Sequence, residues 1–162
     1  APTEIIILLF ASAIRFLLTV FTFGVKIPAG LFIPTLAIGA SIGHALGLLF
    51  AAWQNAFPGF FLFRECSSLS YCIDPGVYGL IGSAAMLSGV TRMTVSLVVI
   101  MFEITGDVQY IVPIMITVMV AKWVGDGISR DGIYDEHILI NEYPFLDNKA
   151  SYRFSNVAKS IM

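Results

Sequence analysis

The sequence predicts an all-α, polytopic membrane protein assembled from several short, broken and re-entrant helices. Of its 162 residues, 57% are hydrophobic and only 12% are charged, whereas a soluble domain has about 25% charged residues. A soluble fold of this size could not bury so much apolar surface. Gly and Pro clusters interrupt the apolar runs, so several are shorter than the roughly 20 residues that span a bilayer alone. Broken helices at membrane depth are typical of transporters.

Other functional classes find little support in the sequence. The net charge is −2 and there is no basic run, which argues against a nucleic-acid partner. His44 and His137 each stand alone, so we expect neither a metal site nor another cofactor in this chain. The Ser and Thr residues are scattered without an obvious base, so we do not expect an enzyme.

The first apolar segment, residues 4–23, is long enough to cross a membrane. It contains Arg15, a costly side chain at membrane depth, for which a structural ion pair is favoured over a functional role. The next stretch, "GVKIPAGLFIP" at 24–34, contains too many helix breakers to be helical. Residues 35–52 form a second apolar helix with a stripe of small residues that lets another helix pack closely: Gly39, Gly43 and Gly47.

The longest polar interruption before the tail covers residues 53–75 and contains Cys66 and Cys72. Two free thiols and a local disulfide both remain open for this pair. After it, apolar patterns separated by "GVTR" and "GD" predict three further helices, at 76–89, 93–105 and 108–125.

Charged residues become frequent from Asp126 onward, and a Gly-rich break, "DGIY" at 131–134, could place the Tyr134 hydroxyl at a helix start. This end of the chain is therefore expected to leave the membrane. By the positive-inside tendency, three basic residues beyond it favour a cytoplasmic tail: Lys149, Arg153 and Lys159.

Three charged residues lie at the ends of the predicted helices. Arg92 and Lys122 are expected to bind carbonyl or carboxylate groups there. Glu103 follows an apolar run, and pairing with a neighbour or an interface position is favoured over a role as a proton carrier.

The stretch from Gly30 to Pro34, "GLFIP", could begin a helix, with Pro34 at its first position. The backbone N–H groups beside it would then point out of the helix end, where the helix dipole is positive. Such a terminus can hold an anion without a cationic side chain, weakly enough for the ion to leave. The alternative is a simple Pro-initiated helix whose N–H groups bind carbonyls or water, and local sequence alone favours that alternative.

Longer stretches carry a family resemblance. "GVKIPAGLFIPTLAIGASIG" and "PGVYGLIGSAAMLSGVTRMTVSLVVIMFEITGDVQYIVPIMITVMVAKWVGD", followed by "GIYDEHI" and "YPFLD", resemble the CLC family of chloride channels and chloride–proton exchangers. The similarity is collinear from residue 4 to about residue 148. "SGVTRMTVSLVVIMFEITG" and "GIYDEHI" are most similar to the intracellular eukaryotic exchangers.

The resemblance implies a chloride site, with the ion bound by the backbone amides of Leu31 and Phe32 and by the Tyr134 hydroxyl. The rest of the filter motif is Gly30, Ile33 and Pro34. By the same resemblance, the transported species are chloride and protons, and the chain contacts membrane lipid. It would form a homodimer through the helices near 93–105 and 108–125.

The resemblance also implies the organisation and function of the protein. Residues 1–138 would be the C-terminal portion of a CLC-type transmembrane domain, and residues 139–162 a cytoplasmic linker toward CBS domains that this chain lacks. The other filter motifs would lie upstream, so the chain should not conduct by itself. The expected function is voltage-dependent chloride/proton antiport. The expected location is an endosomal, Golgi or vacuolar membrane, with the plasma membrane as the alternative. A passive voltage-gated chloride channel is the alternative, and a non-transport membrane scaffold a remote one.

Overall fold

The computed structural model describes residues 2–25, 29–56, 73–129 and 131–144. Within these residues all regular secondary structure is helical, as the sequence predicts. The α-helices are α1 (Pro2–Gly24), α2 (Phe32–Ala56), α3 (Pro75–Thr91), α4 (Val95–Thr105), α5 (Ile111–Ile128) and α6 (Ile133–Ile140), and one 3₁₀ turn, Val108–Tyr110, precedes α5. Cys66 and Cys72, and the tail beyond residue 144, lie outside the described residues.

Three stretches of the described residues are long and apolar enough to cross a membrane. They are Thr3–Gly24, Phe32–Ala56 and Val108–Ile140, the last of which contains α5 and α6. The shorter helices α3 and α4 lie between them in sequence. This alternation of long and short apolar helices confirms the broken, polytopic architecture expected from the Gly and Pro clusters.

Several predicted boundaries are wrong. The second helix runs from Phe32 to Ala56 rather than from residue 35 to residue 52, so Pro34 is its third residue and not its first. A helix tolerates this because N–H groups throughout the first turn lack an intrahelical partner, so the missing N–H of Pro34 costs no bond there. The fifth helix continues to Ile128 rather than ending at residue 125.

The glycine stripe of α2 packs against α3, which confirms its predicted role. A Cβ built on Gly39 would lie 2.5 Å from the Gly82 carbonyl oxygen, and one on Gly43 would overlap the Tyr78 carbonyl. On α3, a Cβ at Gly82 would lie 2.6 Å from the Gly39 carbonyl oxygen. The two backbones are therefore in direct contact, as small residues allow in membrane proteins.

A compact apolar core joins α3, α4 and α5. Its fully buried members are Ala84, Leu87, Leu97, Met101, Ile114 and Val118. The buried Ser88 hydroxyl adds a polar contact, since it donates across to the Val118 carbonyl of α5 at 3.0 Å. Together with the α2–α3 contact, this core makes α3 the central helix, packed by α2, α4 and α5.

Replacing Ser88 with Ala in the full-length protein is expected to lower its stability in detergent by about 0.6 kcal/mol, the average for a hydrogen bond between membrane helices. The measurement is thermal unfolding of the purified protein. Ser83→Ala is the matched control, because the Ser83 hydroxyl on the same helix donates only to its own helix, at the Leu80 carbonyl. Equal losses for the two variants would contradict an interhelical role for Ser88.

Candidate functional site

The first turn of α2 presents backbone donors that the helix itself does not use. The bond from the Thr35 N–H to the Leu31 carbonyl, 3.2 Å long, is the first of the helical i to i−4 pattern. The N–H groups of Leu31 and Phe32 precede it, so they have no acceptor within the helix. Both therefore lie at the positive end of a 25-residue helix.

Thr35 fixes the geometry of this turn. Its buried hydroxyl lies 2.9 Å from the Leu31 carbonyl oxygen and 2.8 Å from that of Phe32. The hydroxyl proton is shared by the carbonyls of the two residues whose amides are the predicted ligands. Sequence reasoning missed Thr35, although a hydroxyl residue directly after Pro34 in a helix-start motif is a usable signal.

The approach to this turn from outside the helix is open. No described atom lies within 4 Å of a Cβ built on Gly30, so the backbone there is accessible, as the sequence predicts. The Leu31 side chain is only 8% exposed and anchors the turn in the protein. The amides are thereby held in place while their surroundings remain free for an ion.

A cavity of about 200 Å³ separates α1 from the start of α2. Its lining includes Arg15, Thr19 and Thr22 of α1 and Gly30, Leu31 and Pro34 of the filter motif. The Arg15 guanidinium donates to the Ser41 hydroxyl at 3.4 Å. Within the described part of the chain this partner is a hydroxyl rather than a carboxylate, so the predicted ion pair of Arg15 stays a prediction.

Tyr134 is the second residue of α6, so its phenol is carried by a helix start. Gly132 is the N-cap residue, and its N–H donates to the Asp135 carboxylate at 3.4 Å. The Tyr134 side chain is 46% exposed within this chain. A hydroxyl in this position is free to meet a ligand or another part of the protein.

The starts of α2 and α6 share one cavity. This second cavity, of about 200 Å³, has both Leu31 and Ile133, the neighbour of Tyr134, in its lining. The ring of Phe23 near the end of α1 lies 5.3 Å, centroid to centroid, from the His137 ring of α6. The Tyr134 ring is not among the residues lining this cavity, so its place beside the Leu31 and Phe32 amides stays a prediction.

Arg92 meets its expected role at a helix end, since its guanidinium donates to three carbonyls at the end of α5. Lys122 contributes its backbone carbonyl as one of these acceptors.

Glu103 is exposed near the end of α4.

This arrangement can bind a small anion by hydrogen bonds and a helix dipole. Backbone N–H groups and a neutral phenol supply donors without a full positive charge at the point of contact. Binding of this kind is weak enough for passage, which a conduit requires. The described residues thus form an all-helical membrane fold, with a helix start whose chemistry suits a small anion.

Comparisons with known proteins identify the family. The family model described as voltage gated chloride channel matches residues 1–126, well over half of the chain. The chain belongs to this family, as its resemblance to CLC proteins implies.

Two relatives illustrate the branch. The chain is 50% identical over 153 residues to H(+)/Cl(-) exchange transporter 3 of Homo sapiens, covering 94% of the chain and 19% of that protein. It is 49% identical over 150 residues to H(+)/Cl(-) exchange transporter 5 of Homo sapiens, covering 92% of the chain and 18% of that protein. The chain thus spans about one fifth of the length of these curated relatives.

Proposed function

We propose that this chain forms one wall of the anion pathway of a chloride/proton antiporter. The observation that carries the proposal is the open first turn of α2, where the Leu31 and Phe32 amides precede the first intrahelical bond. The Tyr134 hydroxyl is the proposed second ligand, from the first turn of α6. Gly30, Ile33 and Pro34 would shape the filter turn. The names of the relatives as exchange transporters favour antiport over a passive channel.

In this proposal the transported species are chloride and protons, and the outer faces of the helices meet lipid. A homodimer would use α4 and α5, which expose apolar side chains in the described residues, including Val95, Val99, Val112 and Met115. The proposed membrane is that of the endosome, Golgi or vacuole, with the plasma membrane as the alternative. Residues 1–138 would belong to the transmembrane domain and 139–162 to a cytoplasmic linker.

Coupled exchange predicts that the reversal potential of the full-length protein depends on pH. With two anions exchanged per proton, each unit of pH gradient shifts it by about one third of ~59 mV, or about 20 mV. The measurement is a current–voltage curve of the reconstituted protein at symmetric chloride and varied pH on one side. A chloride current whose reversal potential is blind to pH would establish the channel alternative, and the absence of any anion flux would favour a scaffold.

A further inference from the structure

We propose that Arg92 is a positioning residue, which holds the break between α5 and α6 so that Tyr134 is presented to the anion. The proposal rests on the proposed function, because it assigns Arg92 a role through the Tyr134 ligand. It arises from contacts that the Arg92 side chain, at the end of α3, makes with two further helices.

The backbone of Arg92 ends α3 in an unusual conformation. It lies in the left-handed region, with φ 61° and ψ 11°, and its N–H donates to the Ser88 carbonyl. The bond is 2.9 Å long. Glycine adopts this conformation readily, whereas for a residue with a Cβ it costs about 1 kcal/mol of conformational free energy. The contacts of the Arg92 side chain offset this cost.

The guanidinium caps the end of α5 from a different helix. Nη2 donates to the carbonyls of Gly125, at 2.7 Å, and Ser129, at 3.2 Å. Nη1 donates to the Lys122 carbonyl at 3.4 Å and lies 3.6 Å from the Asp126 carboxylate. The Gly125 carbonyl also accepts the Ser129 N–H at 3.0 Å, so the guanidinium is a second donor to it, and the carbonyl end of α5 is the negative end of its dipole. Arg92 thus ties the end of α5 to the end of α3.

Two glycines show how closely this side chain fits. A Cβ built on Gly125 would overlap the Arg92 guanidinium. A Cβ built on Gly132 would lie 3.1 Å from Arg92 Cγ and 3.5 Å from the Thr91 carbonyl oxygen. Gly132 is the N-cap of α6, so the aliphatic stem of Arg92 supports the start of α6 while its head holds the end of α5.

The consequence concerns Tyr134, two residues after Gly132. α5 ends at Ile128 and α6 begins at Ile133, and Arg92 contacts residues close to both of these ends. The Phe32 amide belongs to α2 and the Leu31 amide directly precedes it, and α2 packs on α3 through the glycine stripe rather than through Arg92. Loss of the Arg92 side chain therefore displaces the phenol but leaves the amides in place.

The test uses the full-length transporter with Arg92→Gly, which removes the side chain but suits the left-handed backbone. We expect a monodisperse protein whose KM for chloride rises by the same factor as in Tyr134→Phe. The double variant should have the KM of Arg92→Gly alone, because both changes remove one contribution. Arg92→Lys should restore part of the loss. Glu142→Gly is the matched control, since Glu142 also has a positive φ, of 52°, and should behave as wild type.

A second measurement reads the position of α6 independently of chloride. Spin labels at Leu49 of α2 and Leu139 of α6, both exposed and outside the proposed dimer interface, are placed in a background without reactive cysteines. We expect the distance distribution to broaden in Arg92→Gly and stay narrow in Glu142→Gly. An unchanged distribution, or KM effects that multiply in the double variant, would overturn the proposal. If Tyr134→Phe alone left chloride transport unchanged, the proposed ligand would be wrong, and the label distances would still decide whether Arg92 positions α6.

Discussion

Gly43→Ala in the full-length protein is expected to prevent α2 and α3 from packing and to abolish most of the folded, transport-competent population. The added Cβ would overlap the Tyr78 carbonyl and lie 3.1 Å from the Gly79 Cα, and both are backbone atoms. A clash with backbone atoms cannot be relieved by a change of side-chain rotamer, so the two helices must separate along their length. Overpacking in a core costs about 1–3 kcal/mol, and we expect the upper end or more here. The measurements are size-exclusion chromatography, thermal unfolding and chloride flux.

Gly89→Ala on α3 is the matched control for this change. No described atom lies within 4 Å of a Cβ built at Gly89, and alanine favours a helix interior over glycine by about 0.5–1 kcal/mol. The control should fold and transport as wild type or better. A folded Gly43→Ala variant with normal flux would show that the α2–α3 contact is looser in the membrane than the structure describes.

The second large effect is expected from a backbone change at Phe32. Incorporating the corresponding α-hydroxy acid replaces the Phe32 N–H by an ester oxygen and leaves the side chain unchanged. Because a hydrogen bond to a charged group contributes about 1.5–3 kcal/mol, chloride affinity should fall by about 10-fold or more. No helical donor is lost, since this N–H precedes the first i to i−4 bond of α2, although the Leu31 carbonyl becomes an ester carbonyl and a weaker acceptor for Thr35. The measurement is chloride binding by calorimetry together with flux in liposomes.

The same replacement at Ile33 provides a closely matched control. The Ile33 N–H also lies in the first turn, without an acceptor inside the helix, but it is not a proposed ligand. Its ester should change chloride affinity by less than about 2-fold. If the two esters weakened binding equally, the helix terminus would act only through its dipole, and the assignment of specific amides would fail.

Much of the fold could be predicted because its signals are local. The stripe at Gly39, Gly43 and Gly47 has a spacing that fixes one helix face, and the structure places α3 against it. The breaks around Arg92 and Gly106 were also correctly located, since both residues end helices in the left-handed conformation. Patterns of this kind depend on neighbouring residues along the chain and need no knowledge of distant contacts.

Other features depend on contacts that the sequence does not encode locally. The end of α5 was predicted too early because Gly125 is usually a helix breaker. In the structure the helix continues to Ile128, and Gly125 provides room for the Arg92 guanidinium. An arginine 33 residues away in sequence thus explains a glycine inside a helix. For the same reason the proposed pairing of the Leu31 and Phe32 amides with the Tyr134 hydroxyl rests on the family resemblance and stays a prediction.

The two short bonds from the Thr35 hydroxyl to the Leu31 and Phe32 carbonyls have a consequence for selectivity. They order the filter turn before any ion arrives, so an incoming anion does not spend binding energy on organising its receptor. In the proposed pathway, halides and other small anions would then be ranked mainly by how readily each sheds its own water. Permeation would follow the cost of dehydration, with the protein as a nearly fixed partner in that exchange.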